Sequence, residues 1–288
     1  MIGDIERSAD VGIVGSGIAG GHAAFRLASA GVRTLVLEAG PHLSRNQAVA
    51  NFVANPDKGP NGPYPSVSYA PHPVDGHEND FYVQAGPDQF VGSYTRILGG
   101  TTWHWTGFAD RLRPADFRMR TRYGVAEDWP ISYDDLVDHY EVVEKMWGVA
   151  GDPTYDWGSP RRTPYPLPPI PNTYLDQVVD GGLKQVGLEA RIFSHARNSV
   201  PFDGRPACCG NNTCVPVCPI QAKYDGSVHT LKAQALGAQI LTEALATKVE
   251  IGDDRRVAGI RFRRSDGTEG VATGKVYIVA CHAIETPR

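Results

Sequence analysis

The first unbroken apolar run of the chain is Val11–Val14, set between Asp10 and Gly15 after a polar start over residues 1–10. A run without alternation predicts a strand covered on both faces. Residues 18–30 are Ala-rich and end at Gly31, which predicts a helix with a glycine stop, and a second apolar run closes at Glu38. Together they predict one βαβ unit. Periodicity fades over residues 46–94, where Pro, Gly, Asn and His accumulate, and again over residues 152–171, which hold seven prolines. Both stretches are expected to be irregular and to wrap over other elements. Between them Ser132 and Asp135 have capping-box spacing, and Leu136, Tyr140, Val143 and Trp147 mark one face of a packing helix. Beyond Asp225 a helix over residues 228–236 leads into apolar runs at 240–251, 257–262 and 275–280, joined by Asp253-Asp254 and Ser265-Asp266-Gly267. These turn residues predict a small antiparallel element that returns the chain to the first sheet. There is no internal repeat.

Composition changes this picture little. The 288 residues are 41% hydrophobic and 21% charged, enough to bury a substantial core in one or two domains. The net charge of -4, with both signs interspersed, leaves no basic stripe for nucleic acid or an anionic membrane. No stretch approaches the roughly 20 apolar residues of a membrane span, and residues 1–10 lack the apolar core of an export signal. Export or membrane attachment is therefore expected to come from a partner.

Gly15-Ser16-Gly17-Ile18-Ala19-Gly20 fits the G-x-G-x-x-G fingerprint, directly after a predicted strand and at the start of a predicted helix. Gly15 suits the tight turn, Gly17 a close approach of backbone to a diphosphate, and Gly20 close helix–strand packing, with free helix N–H groups facing the phosphates. Glu38 follows Gly20 by eighteen residues and is placed to accept from a ribose and to repel a 2′-phosphate. NADP is thereby disfavoured, while the pattern alone leaves NAD and FAD open.

Four of the five cysteines, Cys208, Cys209, Cys214 and Cys218, lie within eleven residues, and Cys218 precedes Pro219. Clustered soft thiols favour a metal over dispersed disulfides, and the closing Cys-Pro is similar to ligand runs of ferredoxins. An iron–sulfur cluster, a structural zinc and two local disulfides are all open on spacing. Cys281 ends an apolar strand and reads as a buried small residue.

Three further stretches carry a resemblance. Leu98-Gly99-Gly100-Thr101-Thr102-Trp103-His104-Trp105, residues 128–136 (Asp-Trp-Pro-Ile-Ser-Tyr-Asp-Asp-Leu) and Ile284-Glu285-Thr286-Pro287 resemble the glucose–methanol–choline (GMC) oxidoreductases. The cysteine segment makes the likeness specific to the branch of bacterial FAD-dependent glucose, sorbitol, gluconate and fructose dehydrogenases. The resemblance implies an α/β fold: a Rossmann-like FAD-binding domain in two segments, 1–45 and 225–288. Between them lies an inserted, partly irregular region, 46–224, with a flavin-contacting loop at 92–107 and the cysteine cluster at 208–218. It implies FAD with its adenosine end at Gly15, Ser16, Gly17, Gly20, Glu38 and Ala39, its isoalloxazine near Gly99, Gly100, Thr101 and Thr102, and a further contact at Val249. Two adjacent glycines let backbone press against a flat ring. His104 has two readings: a histidine bonded covalently to the flavin, or one packed between Trp103 and Trp105.

Cys208, Cys214 and Cys218 are implied as ligands of a three-iron (3Fe–4S) cluster, with Cys209 spare. A cluster beside a flavin implies one-electron exit to another protein, hence a dehydrogenase of a sugar, polyol or sugar acid rather than an oxygen-using oxidase. A noncatalytic flavin and iron–sulfur electron-transfer module is a further reading. Implied partners are a small subunit with an export signal and a membrane-bound cytochrome c subunit, on the periplasmic face of the membrane. Relatives take their catalytic base from a C-terminal half, which is expected beyond Arg288, so His195, His229 and His282 are not assigned that role. The 288 residues alone are expected to be poorly soluble and inactive.

Overall fold

The computed structural model describes residues 5–74, 76–88 and 92–287. Residues 1–4 of the polar start, and Arg288, lie outside the described residues. The chain divides into two compact units, Met1–Trp105 with Thr213–Pro219 and Asp225–Arg288, and Thr106–Asn212 with Ile220–Tyr224. The first unit thus takes in residues 46–105 as well as the two segments that the sequence marks for nucleotide binding.

The βαβ unit forms as expected: β2 (Val11–Val14), α1 (Ile18–Ser29) and β3 (Thr34–Leu37), preceded by β1 (Ile5–Ser8). Among the described residues β2 and β3 pair in parallel within a sheet of order β4-β3-β2-β8, where β4 is Gln239–Leu241 and β8 is Val276–Val279. One face of this sheet packs Val11, Ile13 and Val36 against Ala24 of α1 and Ala233 of α6 (Ser227–Ala235). The other face packs Val14, Leu35 and Leu37 against Ile260, Phe262 and Ala272 of a second sheet. All eight residues of β2 and β3 are buried, which is why they read as continuous apolar runs. Asp10 pins the start of β2 by accepting from Arg33 (3.0 Å) and Lys275 (2.9 Å). The Arg33 and Lys275 side chains beside it hold its carboxyl down to about 2.

The second sheet has order β1-β7-β6-β5, from β5 (Ala244–Ile251), β6 (Val257–Arg264) and β7 (Glu269–Thr273), antiparallel except where β1 joins β7. The run at 240–251 is therefore two strands in two sheets. It is broken at Glu243, whose φ of 55° no continuous strand contains. Residues 46–94 also depart from expectation, because α2 (Arg45–Ala54) opens them. Ser44 caps this helix by accepting from the Gln47 amide at 3.2 Å. Only Ala48 of α2 is buried, so its amphipathic pattern is faint.

In the second unit α3 (Met119–Tyr123) precedes α4 (Tyr133–Trp147), which begins where the capping box was read: the Asp135 carboxylate accepts from the Ser132 amide and hydroxyl, both at 2.8 Å. Asp135→Ala is expected to cost this unit about 1 kcal/mol, measured as a lower midpoint in chemical denaturation. The fully buried residues of α4 are Tyr133, Val137 and Glu144, and Leu136 and Tyr140 of the expected face pack beside them, partly buried. Glu144 sits between two guanidiniums, accepting from Arg111 at 2.7 and 2.9 Å and from Arg161 at 2.8 Å. Tyr133 accepts from Arg111 (3.2 Å) and donates to the Pro160 carbonyl (2.6 Å). Past the proline-rich run, α5 (Tyr174–Gln185) is capped by Thr173 and Asp176, a second capping box that the sequence reading passes over. The remaining helix, α7 (His282–Glu285), ends the first unit. Among the described residues no helix is long and apolar enough to cross a membrane.

Candidate functional site

The carboxyl ends of the parallel strands gather most of the residues marked by the sequence, at the place where such sheets hold ligands. Gly15 turns with φ 93°, and a Cβ there would lie 2.6 Å from the Ala280 carbonyl at the end of β8. A Cβ on Gly20 would run into the Gly15 carbonyl oxygen, so α1 lies against the end of β2 as only glycine permits. Gly17 is different: a Cβ there would meet nothing within 4 Å. Its backbone therefore faces open space at the N-terminus of α1, where unpaired amides point outward.

Glu38 follows β3 and is 6% exposed. One carboxylate oxygen accepts from the Ser16 amide (3.0 Å) and hydroxyl (2.6 Å), and the other from the Gly40 amide (2.8 Å). Burial pushes this carboxyl up, against the donors from Ser16 and Gly40 and the nearby Arg96. Three of its four lone-pair directions are thus used by protein. Ala39 lies between Glu38 and Gly40, half-buried.

The loop at 99–104 closes the same region. Gly99 (φ 95°) and Gly100 (φ 62°) lead into a 3-10 turn over Gly100–Trp103. A Cβ on Gly100 would be 3.2 Å from the Gly17 Cα, and one on Gly99 2.6 Å from the Ser227 amide. Gly99 donates to the Ser16 hydroxyl at 3.0 Å, and the Thr102 hydroxyl donates to the Gly99 carbonyl at 2.8 Å while accepting from the Gly226 amide at 2.8 Å. The Thr101 hydroxyl accepts from the Thr95 amide at 3.3 Å.

Sequence reading missed three contributors. Gly226, the residue before α6, would with a Cβ sit 2.7 Å from the Gly99 carbonyl and 3.1 Å from the Ile18 amide. Gly40 would with a Cβ run into the Arg96 backbone. Arg45 lies over the Trp103 ring (3.9 Å to its centre), donates to the Cys218 carbonyl (3.2 Å) and pairs with Asp225. The Asp-Gly-Ser at the start of a helical stretch and the Glu-Ala-Gly closing β3 were the available signs of the two glycines.

His104 is 7% exposed, its Nε2 lying 3.1 Å from the Thr95 hydroxyl, which donates to the Asn61 carbonyl oxygen (2.9 Å). Because the Thr95 proton goes to Asn61, the His104 Nε2 is the donor in that pair. Val249 is not gathered into this glycine cluster; it stands on β5 in the second sheet and is 43% exposed. His229 is 2% exposed with its ring against His22 and Phe25; His195, in the second unit, packs against Phe108 and Phe193. His282 lies against Tyr94 at 4.4 Å.

None of the five cysteines is joined in a disulfide. Cys208 and Cys209 belong to the second unit, and Cys214 and Cys218 to the first. The Gly210 amide donates to the Cys208 sulfur at 3.4 Å, and the Cys209 thiol lies 3.2 Å from the Asn211 carbonyl oxygen. The thiols have the right chemistry for a soft metal. Among the described residues, however, no three of His, Cys, Asp or Glu are gathered to hold one.

Open space before Gly17, unpaired amides of α1, a buried acid at the end of β3 and backbone-only walls at Gly99 and Gly100 suit a dinucleotide that carries a flat ring. The GMC oxidoreductase family matches residues 119–288, and an NAD(P)-binding Rossmann-like domain matches residues 13–93. The chain is 37% identical, over 98% of its length and 53% of the relative's, to the fructose dehydrogenase large subunit of Gluconobacter japonicus. It is 30% identical to the 6'''-hydroxyparomomycin C oxidase of Streptomyces lividus, over 99% of this chain and 50% of that protein. Among solved structures, pyridoxine 4-oxidase from Mesorbium loti shares the fold at a TM-score of 0.58 and 16% identity, over 97% of this chain and 50% of that one. The chain spans about half the length of the curated relatives it matches.

Proposed function

The chain belongs to the GMC oxidoreductases, and from that premise we propose that it is the FAD-binding part of a dehydrogenase oxidising a CH–OH group of a sugar, polyol or sugar acid. Its fold is the Rossmann-like FAD-binding fold of that family. The observation that carries the proposal is the open approach to Gly17 beside the buried Glu38 and the paired glycines Gly99 and Gly100. In this reading the α1 amides hold the diphosphate, Glu38 and Ala39 border the ribose, Val249 adds a contact at the adenosine end, and Gly99 to Thr102 lie along the ring system. When bound, FAD supplies the hydride-accepting chemistry. The base that such an oxidation needs is not assigned to His195, His229 or His282, whose rings pack against Phe108, Phe25 and Tyr94.

The sugar-type substrate rests on the fructose dehydrogenase likeness. The phrase "large subunit" in that relative's name supports partner subunits, and we propose a small export subunit and a membrane-bound cytochrome c subunit at the periplasmic face. We further propose that Cys208, Cys214 and Cys218 hold a 3Fe–4S cluster, with Cys209 spare; the support is the close spacing of cysteines that form no disulfide, together with the family resemblance. Such a cluster, when bound, supplies one-electron exit.

The oxidase named among the relatives sustains a second reading, electron transfer to oxygen. Purified full-length protein decides between them. The expected outcome is a yellow protein whose flavin band bleaches anaerobically with fructose or a related sugar, reduces an artificial dye faster than oxygen, and carries iron, sulfide and a paramagnetic signal. A colourless protein that takes up no FAD defeats the flavin reading. A flavin without iron defeats the cluster alone, and fast oxygen consumption favours the oxidase.

A further inference from the structure

Ser16 is 0% exposed, so its side chain is not a contact for a ligand that approaches from outside. Its hydrogen bonds run instead between two loops far apart in sequence. The hydroxyl donates to Glu38 (2.6 Å) and accepts from the Gly99 amide (3.0 Å). The Ser16 amide donates to the same Glu38 oxygen (3.0 Å), and its carbonyl accepts from the Thr230 hydroxyl of α6 (3.0 Å). A hydroxyl has one proton to give. With that proton committed to the Glu38 carboxylate, the oxygen is left as an acceptor, polarised by a charge-assisted bond and aimed at Gly99.

Gly99 is held from its other side as well. Its carbonyl accepts from Thr102, whose hydroxyl takes the Gly226 amide, and a Cβ on Gly99 would clash with the Ser227 amide. The position of the Gly99 amide is therefore set by Ser16 on one side and by the start of α6 on the other. Any change at the Glu38 carboxylate acts on the Ser16 proton and, through it, on the bond to Gly99.

We infer that Ser16 is a positioning residue that couples the two ends of the dinucleotide site, so that occupancy of the Glu38 side orders the Gly99–Gly100 backbone that faces the flat ring. This rests on the FAD reading above. Coupling of this kind is reciprocal: whatever orders one end tightens the other.

The test uses full-length protein stripped of flavin, titrated with FAD and separately with ADP, which carries only the adenosine end and the diphosphate. Ser16→Ala is expected to weaken FAD about tenfold, the effect of one lost buried hydrogen bond, and to weaken ADP by about twofold or less. The visible flavin band is expected to shift, and Ser16→Thr to restore both affinity and band. In the unsubstituted protein, ADP is expected to slow hydrogen exchange at the Gly99 amide, with that protection lost in Ser16→Ala. Equal weakening of FAD and ADP would mean that Ser16 only supports the phosphate loop, and overturns the coupling. So does ADP binding that leaves exchange at Gly99 unchanged, a measurement that needs no variant to fold. Unsubstituted protein that binds ADP but not FAD defeats the flavin reading instead.

Discussion

Gly17→Ala is expected to leave the protein folded, with its midpoint of thermal unfolding unchanged, and to weaken FAD binding by about tenfold to a hundredfold, about 1.4 to 2.8 kcal/mol. Gly17 has φ -62° and ψ -166°, a conformation open to alanine, and the added methyl meets no protein atom within 4 Å. On the proposed function it enters the space through which the diphosphate would reach the α1 amides. Gly20→Ala has the opposite profile, because its Cβ collides with the Gly15 carbonyl and α1 must move off β2. A loss on the order of 3 kcal/mol or more in stability is expected there. Calorimetry of both variants with and without FAD checks the pair. If Gly17→Ala retains full affinity, the diphosphate is not held where the glycine loop places it.

Glu144→Gln is expected to destabilise the second unit by about 3 to 5 kcal/mol, the cost of leaving buried cations without their counter-charge. Arg111 and Arg161 have side chains only 3% and 9% exposed, and both are directed at this one carboxylate. Burial alone would raise the Glu144 carboxyl, but the hydrogen bonds and charges of Arg111 and Arg161 outweigh it and hold the group below its usual range. A carboxyl lowered in the folded state contributes stability that is in full force above the unfolded value of about 4.3 and is lost as pH falls through the folded value. Acid lability of this unit is thus expected below about pH 4. Denaturant titration followed by proteolysis within residues 106–212 checks both statements. Replacing Glu144, Arg111 and Arg161 together by apolar residues of similar volume should recover much of the loss, whereas unchanged stability in Glu144→Gln alone would show that the triad is not what holds α4.

This triad also shows where reading the sequence stops. Glu144 falls on α4, whose apolar positions mark Leu136, Tyr140, Val143 and Trp147, and a charged residue one turn away reads as solvated until two arginines from distant loops are known to reach it. The dinucleotide loop was legible because its requirements are local: a strand, three glycines and a helix start within ten residues, with an acid at the end of the next strand. Its partners were not. Gly226 and Gly40 are needed because backbones from other segments, Gly99 and Arg96, pass within contact distance. The split of residues 240–251 into two strands depends on Glu243 turning with positive φ, at a residue type with no special leaning toward it. Helix α2 buries only Ala48 and leaves little apolar stripe to read, whereas α5 does carry one, at Leu175, Val178, Val179 and Leu183, that lies mostly exposed; each helix also carries its cap in plain sight.

The chain passes from one sheet of the first unit to the other at three places: between β1 and β2, between β4 and β5, and between β7 and β8. Two of these seams lie side by side, where the Lys275 amide donates to the Asp10 carbonyl at 2.9 Å. Two layers sewn together in this way cannot slide or peel apart without tearing strands that belong to the opposite layer. On the proposed function this doubly stitched base is the floor on which the nucleotide would rest, and it is expected to open less readily than the loops above it.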